Sequence, residues 1–129
     1  MCMDRGMPGS TSHRGRLTVD VERHGASLVV TPDGELDHHT ADLLREPLEG
    51  ALEDGCKLVV VDCSRLEFCD STGLNVLLGA RLKAEAAGGG IHLAGMRPVV
   101  ARVFEITGAD GVFVLHETLA DALKETAQS

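Results

Sequence analysis

The chain has 129 residues, of which 43% are hydrophobic and 25% charged, which is typical of one folded domain and not of a disordered protein. Its 20 acidic and 12 basic residues give a net charge of −8, and it contains no Trp or Tyr. Nucleic-acid binding relies on Lys and Arg and commonly on aromatic stacking, so the composition argues against a nucleic-acid partner. The apolar run at residues 58–61 is far shorter than the roughly 20 residues that span a bilayer, so we predict no membrane segment.

Residues 1–16 are rich in Gly, Ser and Arg and have no apolar period. We therefore predict a disordered N-terminal tail over 1–16 and a single domain over 17–127. The tail lacks the apolar region of a signal peptide, and the cysteines form no C-x-x-C pair. We expect a cytoplasmic protein with reduced, mostly buried cysteines, which are Cys2, Cys56, Cys63 and Cys69.

The first half of the predicted domain combines a hairpin with a helix. Apolar and polar residues alternate over 17–22, and residues 27–32 form a second apolar run after a turn, which predicts two antiparallel strands. Apolar residues at helical spacing then predict a helix that begins at His39 or Thr40. Pro47 lies within this helix, where it removes a hydrogen-bond donor, so we expect a kink or a restart there.

The second half of the domain alternates strands and helices. Residues 57–63 are a continuous β-branched run, which is typical of a strand buried on both faces. After a loop, the chain continues with a helix striped at 74–82, a strand at 91–94, a helix begun by Pro98, a strand at 112–115 and a helix capped by Thr118. The order ββαβαβαβα predicts an α/β fold with a mixed, mainly parallel five-stranded sheet and about four helices, because strands joined through helices are usually parallel neighbours.

The most unusual local sequence is E-F-C-D-S-T-G-L at residues 67–74, between the buried strand and the second helix. Sites in open α/β sheets collect at the carboxyl ends of strands. Asp70, Ser71 and Thr72 are all good N-cap residues, although a helix needs only one. The residues leave two interpretations open: a capped helix start, or an exposed hydroxyl where backbone N–H groups and the helix dipole favour a phosphoryl group.

Residues 59–74, V-V-V-D-C-S-R-L-E-F-C-D-S-T-G-L, closely resemble the signature of anti-sigma factor antagonists. These proteins belong to the STAS domain superfamily, named for sulphate transporters and anti-sigma factor antagonists. G-E-L-D at 34–37, followed by T-A at 40–41, resembles a second stretch of that family. The resemblance covers about residues 17–125 and rests on both stretches at this separation together with the predicted element order.

The resemblance implies a protein that switches partners. An unphosphorylated member binds an anti-sigma factor that is also an ATP-dependent serine kinase, which frees a sigma factor. Phosphorylation by that kinase ends the binding, and a serine phosphatase reverses it. The acceptor position of the family motif falls on Ser71. Asn75 departs from the motif, which commonly has Gly there, and this departure bears on which kinase fits.

We expect the partner surface to comprise the 33–40 loop, the 70–75 turn and the exposed side of the second helix. Asp37 and Asp70 would frame the acceptor, and Gly73 would let the partner backbone approach. A phosphate adds about −1.5 to −2 charges, and a helix N-terminus compensates by only about 0.3 to 1 kcal/mol. The candidate partner-binding residues are Asp37, His38, Asp70, Thr72, Gly73, Asn75 and Gly79, with Lys83 further along the helix.

Enzymatic functions fit the sequence less well. A nucleophilic set of Asp37, His38 or His39 and Ser71 lacks the G-x-S-x-G elbow. A receiver domain built on Asp62 lacks the acidic pair after the first strand and the Lys after the last strand. Asp62 is better explained as a carboxylate that anchors its loop. We therefore expect a binding module that is not an enzyme.

We also expect no cofactor and no metal. The D-H-H of residues 37–39 and the C-x₅-C of Cys63 and Cys69 do not have recognised zinc spacing. His24, His92 and His116 are expected to be isolated. The remaining alternative is a STAS scaffold or ligand-sensing module in a pathway without a sigma factor. An exposed hairpin at the sheet edge is compatible with a monomer or a weak dimer.

Overall fold

The computed structural model describes residues 16–56 and 58–127. In this part of the chain, six strands and four α-helices follow one another. They are β1 Leu17–His24, β2 Ser27–Leu36, α1 Ala41–Glu53, β3 Leu58–Asp62, β4 Leu66–Cys69, α2 Ser71–Ala86, β5 Gly90–Ala94, α3 Pro98–Thr107, β6 Val114–His116 and α4 Leu119–Ala127. The predicted tail lies outside the described residues, apart from Arg16.

The strands form one mixed sheet in the order β1-β2-β3-β5-β6, with β4 paired to β2. Only the β1–β2 hairpin is antiparallel among the described pairs, and the others are parallel. The predicted fold class is confirmed. The sheet has one strand more than the predicted five, because Leu66–Cys69 is a strand where the sequence suggested a loop. Four residues are too few to show a clear alternation, and this strand forms by pairing with the end of β2.

The hydrophobic core lies on both faces of the sheet. Val59, Val60 and Val61 in the central strand β3 have no exposed surface, which confirms a strand buried on both faces. Val59 and Val61 face a large cluster with α1, α2 and α3, whereas Val60 faces a small cluster with α4. Burial of such a side chain stabilises the fold by about 1.5 to 3 kcal/mol relative to exposure.

Helix α1 passes through Pro47 without interruption, so of the two predicted alternatives, a kink or a restart, the restart does not occur. Buried Leu44 and Leu48, one on each side of Pro47, anchor this helix to the core. Tertiary packing therefore outweighs the cost of a proline within the helix, which is about 3 kcal/mol when the residue is unsupported.

Strands β2 and β4 end side by side, and this pairing positions the candidate site. Leu36 and Cys69 are partners in the parallel register. The N–H of Asp70 donates to the carbonyl of Leu36 over 3.1 Å, so the two chain segments leave the sheet together. The loop before α1 and the start of α2 are therefore neighbours. None of the helices in the described residues has the length and hydropathy that a bilayer span requires.

Candidate functional site

Ser71 is the first residue of α2 and is exposed. Asp70 is the N-cap in extended conformation, and its Oδ1 accepts the N–H of Gly73 over 3.0 Å. Its carbonyl accepts the N–H of Leu74 over 2.9 Å. The first turn of α2 contains no acidic residue. The hydroxyl of Ser71 thus stands at a helix N-terminus that is already capped by its neighbour, where the dipole favours an anion.

Gly73 has a structural role that differs from the expected one. It is buried, and an added Cβ would lie 2.5 Å from Cγ of Leu36. The absence of a side chain therefore lets α2 pack against the end of β2. This packing against Leu36 accounts for a glycine at this position within the chain itself, and an approach of the partner backbone to Gly73 stays a prediction.

The loop between β2 and α1 is held by Asp37, whose exposed fraction is only 7%. Its Oδ1 accepts the N–H of His39 over 2.9 Å and that of Thr40 over 3.2 Å. Burial raises the pKa of Asp37, but these hydrogen bonds outweigh it and hold the pKa below the usual value of an aspartate. The hydroxyl of Thr40 accepts the N–H of Asp37 and donates to the carbonyl of Glu35. Asp37 therefore shapes the loop from within, and a direct contact of Asp37 with a partner stays a prediction.

His38 links this loop to the start of α2. Its Nδ1 lies 4.0 Å from Oδ2 of Asp70, and its side chain is 67% exposed. The structure thus brings together the two segments that the sequence marked, through His38 and Asp70 and not through Asp37. A phosphate on Ser71 would be attached next to this pair.

The remaining candidate residues lie along one groove between α1 and α2. Thr72, Asn75, Gly79 and Lys83 line it from α2, and its volume is about 250 Å³. Asn75, Gly79 and Lys83 are exposed, and Nζ of Lys83 lies 3.0 Å from Oε2 of Glu49 on α1. We call Ser71, Asn75, Gly79 and Lys83 the α2 surface. This surface runs along one helix and begins at the acceptor position.

Two local predictions about side chains are confirmed. Oδ1 of Asp62 accepts the N–H of Ser64 over 3.1 Å, so Asp62 anchors its loop. Cys63 and Cys69 are free thiols and are buried, and Cys56 is partly buried; Cys2 lies outside the described residues. Burial raises the pKa of Cys63 and of Cys69 to about 12. These thiols therefore stay protonated and are poor ligands and nucleophiles.

The expectation that His92 and His116 are isolated is wrong. Nδ1 of His92 lies 2.9 Å from Nε2 of His116, and the rings are stacked. In the parallel register of β5 and β6, Ala94 pairs with His116, so residues 92 and 116 lie diagonally on one face. Only the strand pairing reveals this contact, because the two residues are 24 positions apart in the sequence.

Comparison with known proteins gives the class of protein that this fold and site define. The model of the STAS domain family matches residues 18–122, so the chain belongs to that family. The resemblance inferred from residues 34–41 and 59–74 is confirmed.

The similar proteins include several that are named anti-sigma factor antagonists. One called anti-sigma F factor antagonist, from Paenibacillus polymyxa, is 32% identical over 110 residues, covering 84% of this chain and 94% of that protein. The crystal structure of an anti-sigma factor antagonist from Mycobacterium paratuberculosis has a TM-score of 0.81 at 32% identity, covering 89% of this chain and 97% of that one.

The Bacillus protein SpoIIAA has been solved in two states. Its unphosphorylated form matches with a TM-score of 0.76 at 27% identity over 87% of this chain and 98% of that one. Its phosphorylated form matches with a TM-score of 0.69 at 27% identity over 84% and 99%.

Proposed function

We propose that this protein is a cytoplasmic anti-sigma factor antagonist controlled by phosphorylation of Ser71. In its unphosphorylated form it binds an anti-sigma factor with serine kinase activity and so releases a sigma factor. Phosphorylation by that kinase ends the binding, and a serine phosphatase restores it. The names of the relatives and the existence of a phosphorylated form of SpoIIAA support this proposal.

The observation that carries the proposal is the exposed Ser71 at the capped start of α2. In the transfer, Oγ of Ser71 forms a bond to the γ-phosphorus of ATP, loses its proton and displaces ADP. The kinase supplies the ATP and its metal ion. This chain supplies an accessible hydroxyl in a fixed position, because Asp70 and buried Gly73 hold the first turn. The protein therefore acts as a substrate and binding module, with no catalytic residues and no cofactor of its own.

The switch works through the interface and leaves the fold in place. The phosphate would add about −1.5 to −2 charges beside Asp70, on a chain whose net charge is already −8. The N-terminus of α2 would stabilise this added charge by only about 0.3 to 1 kcal/mol at an exposed site. Desolvation and repulsion of a charge at an interface cost several kcal/mol, and each 1.4 kcal/mol changes affinity tenfold. Partner binding would therefore fall by about a hundredfold or more.

The proposed partner surface consists of His38, Asp70 and the α2 surface. His38 and Asp70 lie on adjoining loops, and the α2 surface extends from Ser71 to Lys83 along the groove beside α1. Asn75 is exposed one helical turn after Ser71, so it would meet the same partner. Asp37 and Gly73 contribute by holding the loop and the helix in place.

The test is a kinase assay and a capture assay with matched serine variants. Wild type, Ser71→Ala and Ser64→Ala are incubated with ATP and host lysate, and phosphorylated peptides are mapped by mass spectrometry. Ser64 is the control because it is also exposed and lies seven residues upstream of Ser71. We expect phosphorylation in wild type and Ser64→Ala and its loss in Ser71→Ala.

In the capture assay, wild type and Ser71→Asp serve as parallel baits. The wild-type bait is expected to retain a protein that has an ATP-dependent serine kinase domain and that binds a sigma factor. The Ser71→Asp bait is expected not to retain this protein. Equal capture by both baits, or phosphorylation that persists in Ser71→Ala, would contradict the proposal.

A further inference from the structure

His92, His116 and Glu125 bring three metal-ligating side chains together on the face of the sheet that α4 covers. One ligand atom from each lies within 4.8 Å of the others. Both imidazoles are half-buried, and the carboxylate is exposed. Across residues 16–56 and 58–127, this is the one group of three or more His, Cys, Asp or Glu side chains with such spacing.

The backbone fixes the positions of the two imidazoles. His92 pairs with Val114 and Ala94 pairs with His116 in the parallel register, so both rings project from one face of the sheet. Their planes differ by 5°, and the facing nitrogens are 2.9 Å apart. At this distance one of the two nitrogens donates a hydrogen bond, and the other accepts it and therefore carries no proton.

We propose that His92, His116 and Glu125 bind one divalent transition-metal ion, for which Zn²⁺ is the reference ion. Two imidazoles and one carboxylate are the donor set of zinc sites that keep a fourth position for water. Imidazole also suits Cu²⁺ and Ni²⁺, whereas Mg²⁺ and Ca²⁺ prefer oxygen ligands.

Binding an ion requires the three side chains to rearrange, because the two imidazoles now face each other in a hydrogen bond. Ligand atoms around a tetrahedral ion at about 2.0 to 2.1 Å lie about 3.4 Å from one another. The two nitrogens, now 2.9 Å apart, need to separate by about half an ångström, and the exposed carboxylate of Glu125 needs to move inward.

Protonation of the rings is compatible with this site. Metal ligation requires neutral imidazoles whose facing nitrogens carry no proton. The proton between the two rings would move to the other nitrogen of the ring that holds it, so no proton leaves the pair.

The bound ion would join β5, β6 and α4, and would act independently of the phosphorylation proposed for Ser71, with which it shares no residue. An ion that binds only the folded chain stabilises it by mass action. The expected consequence is a thermal unfolding temperature that rises with the concentration of the ion.

The test is calorimetric titration of ZnCl₂ into the untagged, metal-stripped full chain in a buffer without thiol reductants. The variants are His116→Gln and Glu125→Gln, the second being a nearly isosteric change at an exposed position. The control is His24→Gln, because Nε2 of His24 lies 2.8 Å from Oε1 of Glu22 and so offers only an exposed two-ligand pair.

We expect one ion per chain in wild type and His24→Gln, with a higher unfolding temperature in zinc. The affinity should fall at least about tenfold in His116→Gln and in Glu125→Gln, since even outer-shell changes at metal sites typically cost 10- to 100-fold. Co²⁺ in place of zinc should give intense visible bands of a tetrahedral site in wild type and His24→Gln, and these bands should be lost or weakened in His116→Gln and Glu125→Gln. Absence of binding in wild type, or equal affinity in all four proteins, would overturn the proposal.

Discussion

The two faces of the sheet differ in how thickly they are covered. On one face, α1, α2 and α3 enclose a large cluster that includes fully buried Leu36, Leu44, Leu77 and Phe104. On the other face, α4 alone covers a cluster whose buried members are Val29, Val60, Ala94 and Ala122. Local stability rises with the amount of buried apolar surface, so the elements on the first face are locally the more stable ones. The proposed phosphorylation site belongs to α2 on that face, and the proposed metal site lies on the face that α4 covers.

The largest expected effect is a difference in cavity cost between the two faces. Leu77→Ala removes a 1% exposed side chain from the face covered by α1, α2 and α3, and it should lower the free energy of unfolding by about 2 to 5 kcal/mol. Leu123→Ala on α4 removes a partly buried one and should cost about 1 to 2 kcal/mol. Urea unfolding followed by circular dichroism measures both. Equal losses would remove the distinction between the faces.

The next effect concerns the contact between α2 and β2. Gly73→Ala places a methyl group about 2.5 Å from Cγ of Leu36 and should destabilise the chain by about 1 to 3 kcal/mol. Gly79→Ala is the matched control on the same helix, because its Cβ meets no described atom within 4 Å. That variant should gain about 0.5 to 1 kcal/mol through helix propensity. A stabilising Gly73→Ala would show that Leu36 can move aside.

A comparable effect is expected at Asp37, and it depends on pH. Since the pKa of Asp37 is lower in the folded than in the unfolded chain, the carboxylate contributes stability above the unfolded-state pKa and loses it as the pH falls through the folded-state pKa. Asp37→Asn should cost about 1 to 3 kcal/mol at pH 7 and should flatten the acid limb of the stability curve. The exposed Asp20→Asn is the control and should cost less than about 0.5 kcal/mol. If the stability of Asp37→Asn still falls at acid pH as in wild type, that loss belongs to another titratable group.

The smallest change tests the core without altering stability. In a Cys2→Ala background at pH 8, Cys56 should react with a thiol reagent first, because it is only partly buried. Cys63 and Cys69, with pKa values of about 12, should react only after unfolding in urea. Labelling of Cys69 at the rate of Cys56 in the native protein would indicate that the end of β4 opens frequently.

The sequence was sufficient to predict features that are encoded locally. The fold class and the buried strand β3 follow from short stretches with strong patterns. The sequence offered Asp70, Ser71 and Thr72 as N-cap residues of α2, and the structure shows that Asp70 is the cap. The short strand β4 was missed because its existence depends on pairing with the distant residues of β2.

Features that arise from tertiary packing escaped prediction. The contact of Gly73 with Leu36 depends on how α2 lies against the end of β2, and no pattern within α2 encodes it. The contact of His92 with His116 depends on the register of β5 and β6. Asp37 was recognised as important, but its burial, and hence its role within the loop, became apparent only from the geometry.

The approach of Arg16 to β2 places the start of the described chain beside the end of that strand. The carbonyl of Arg16 accepts the N–H of Glu35 over 2.8 Å, and Gly34, at a φ of 124°, makes this approach possible because a Cβ there would lie 2.4 Å from that carbonyl. Glu35 is two residues before Asp37, so Arg16 lies close to the loop that carries His38 of the proposed partner surface. A bait for capture is therefore better anchored through its C-terminus, with a tag that contains no histidine, because α4 carries Glu125 of the proposed metal site.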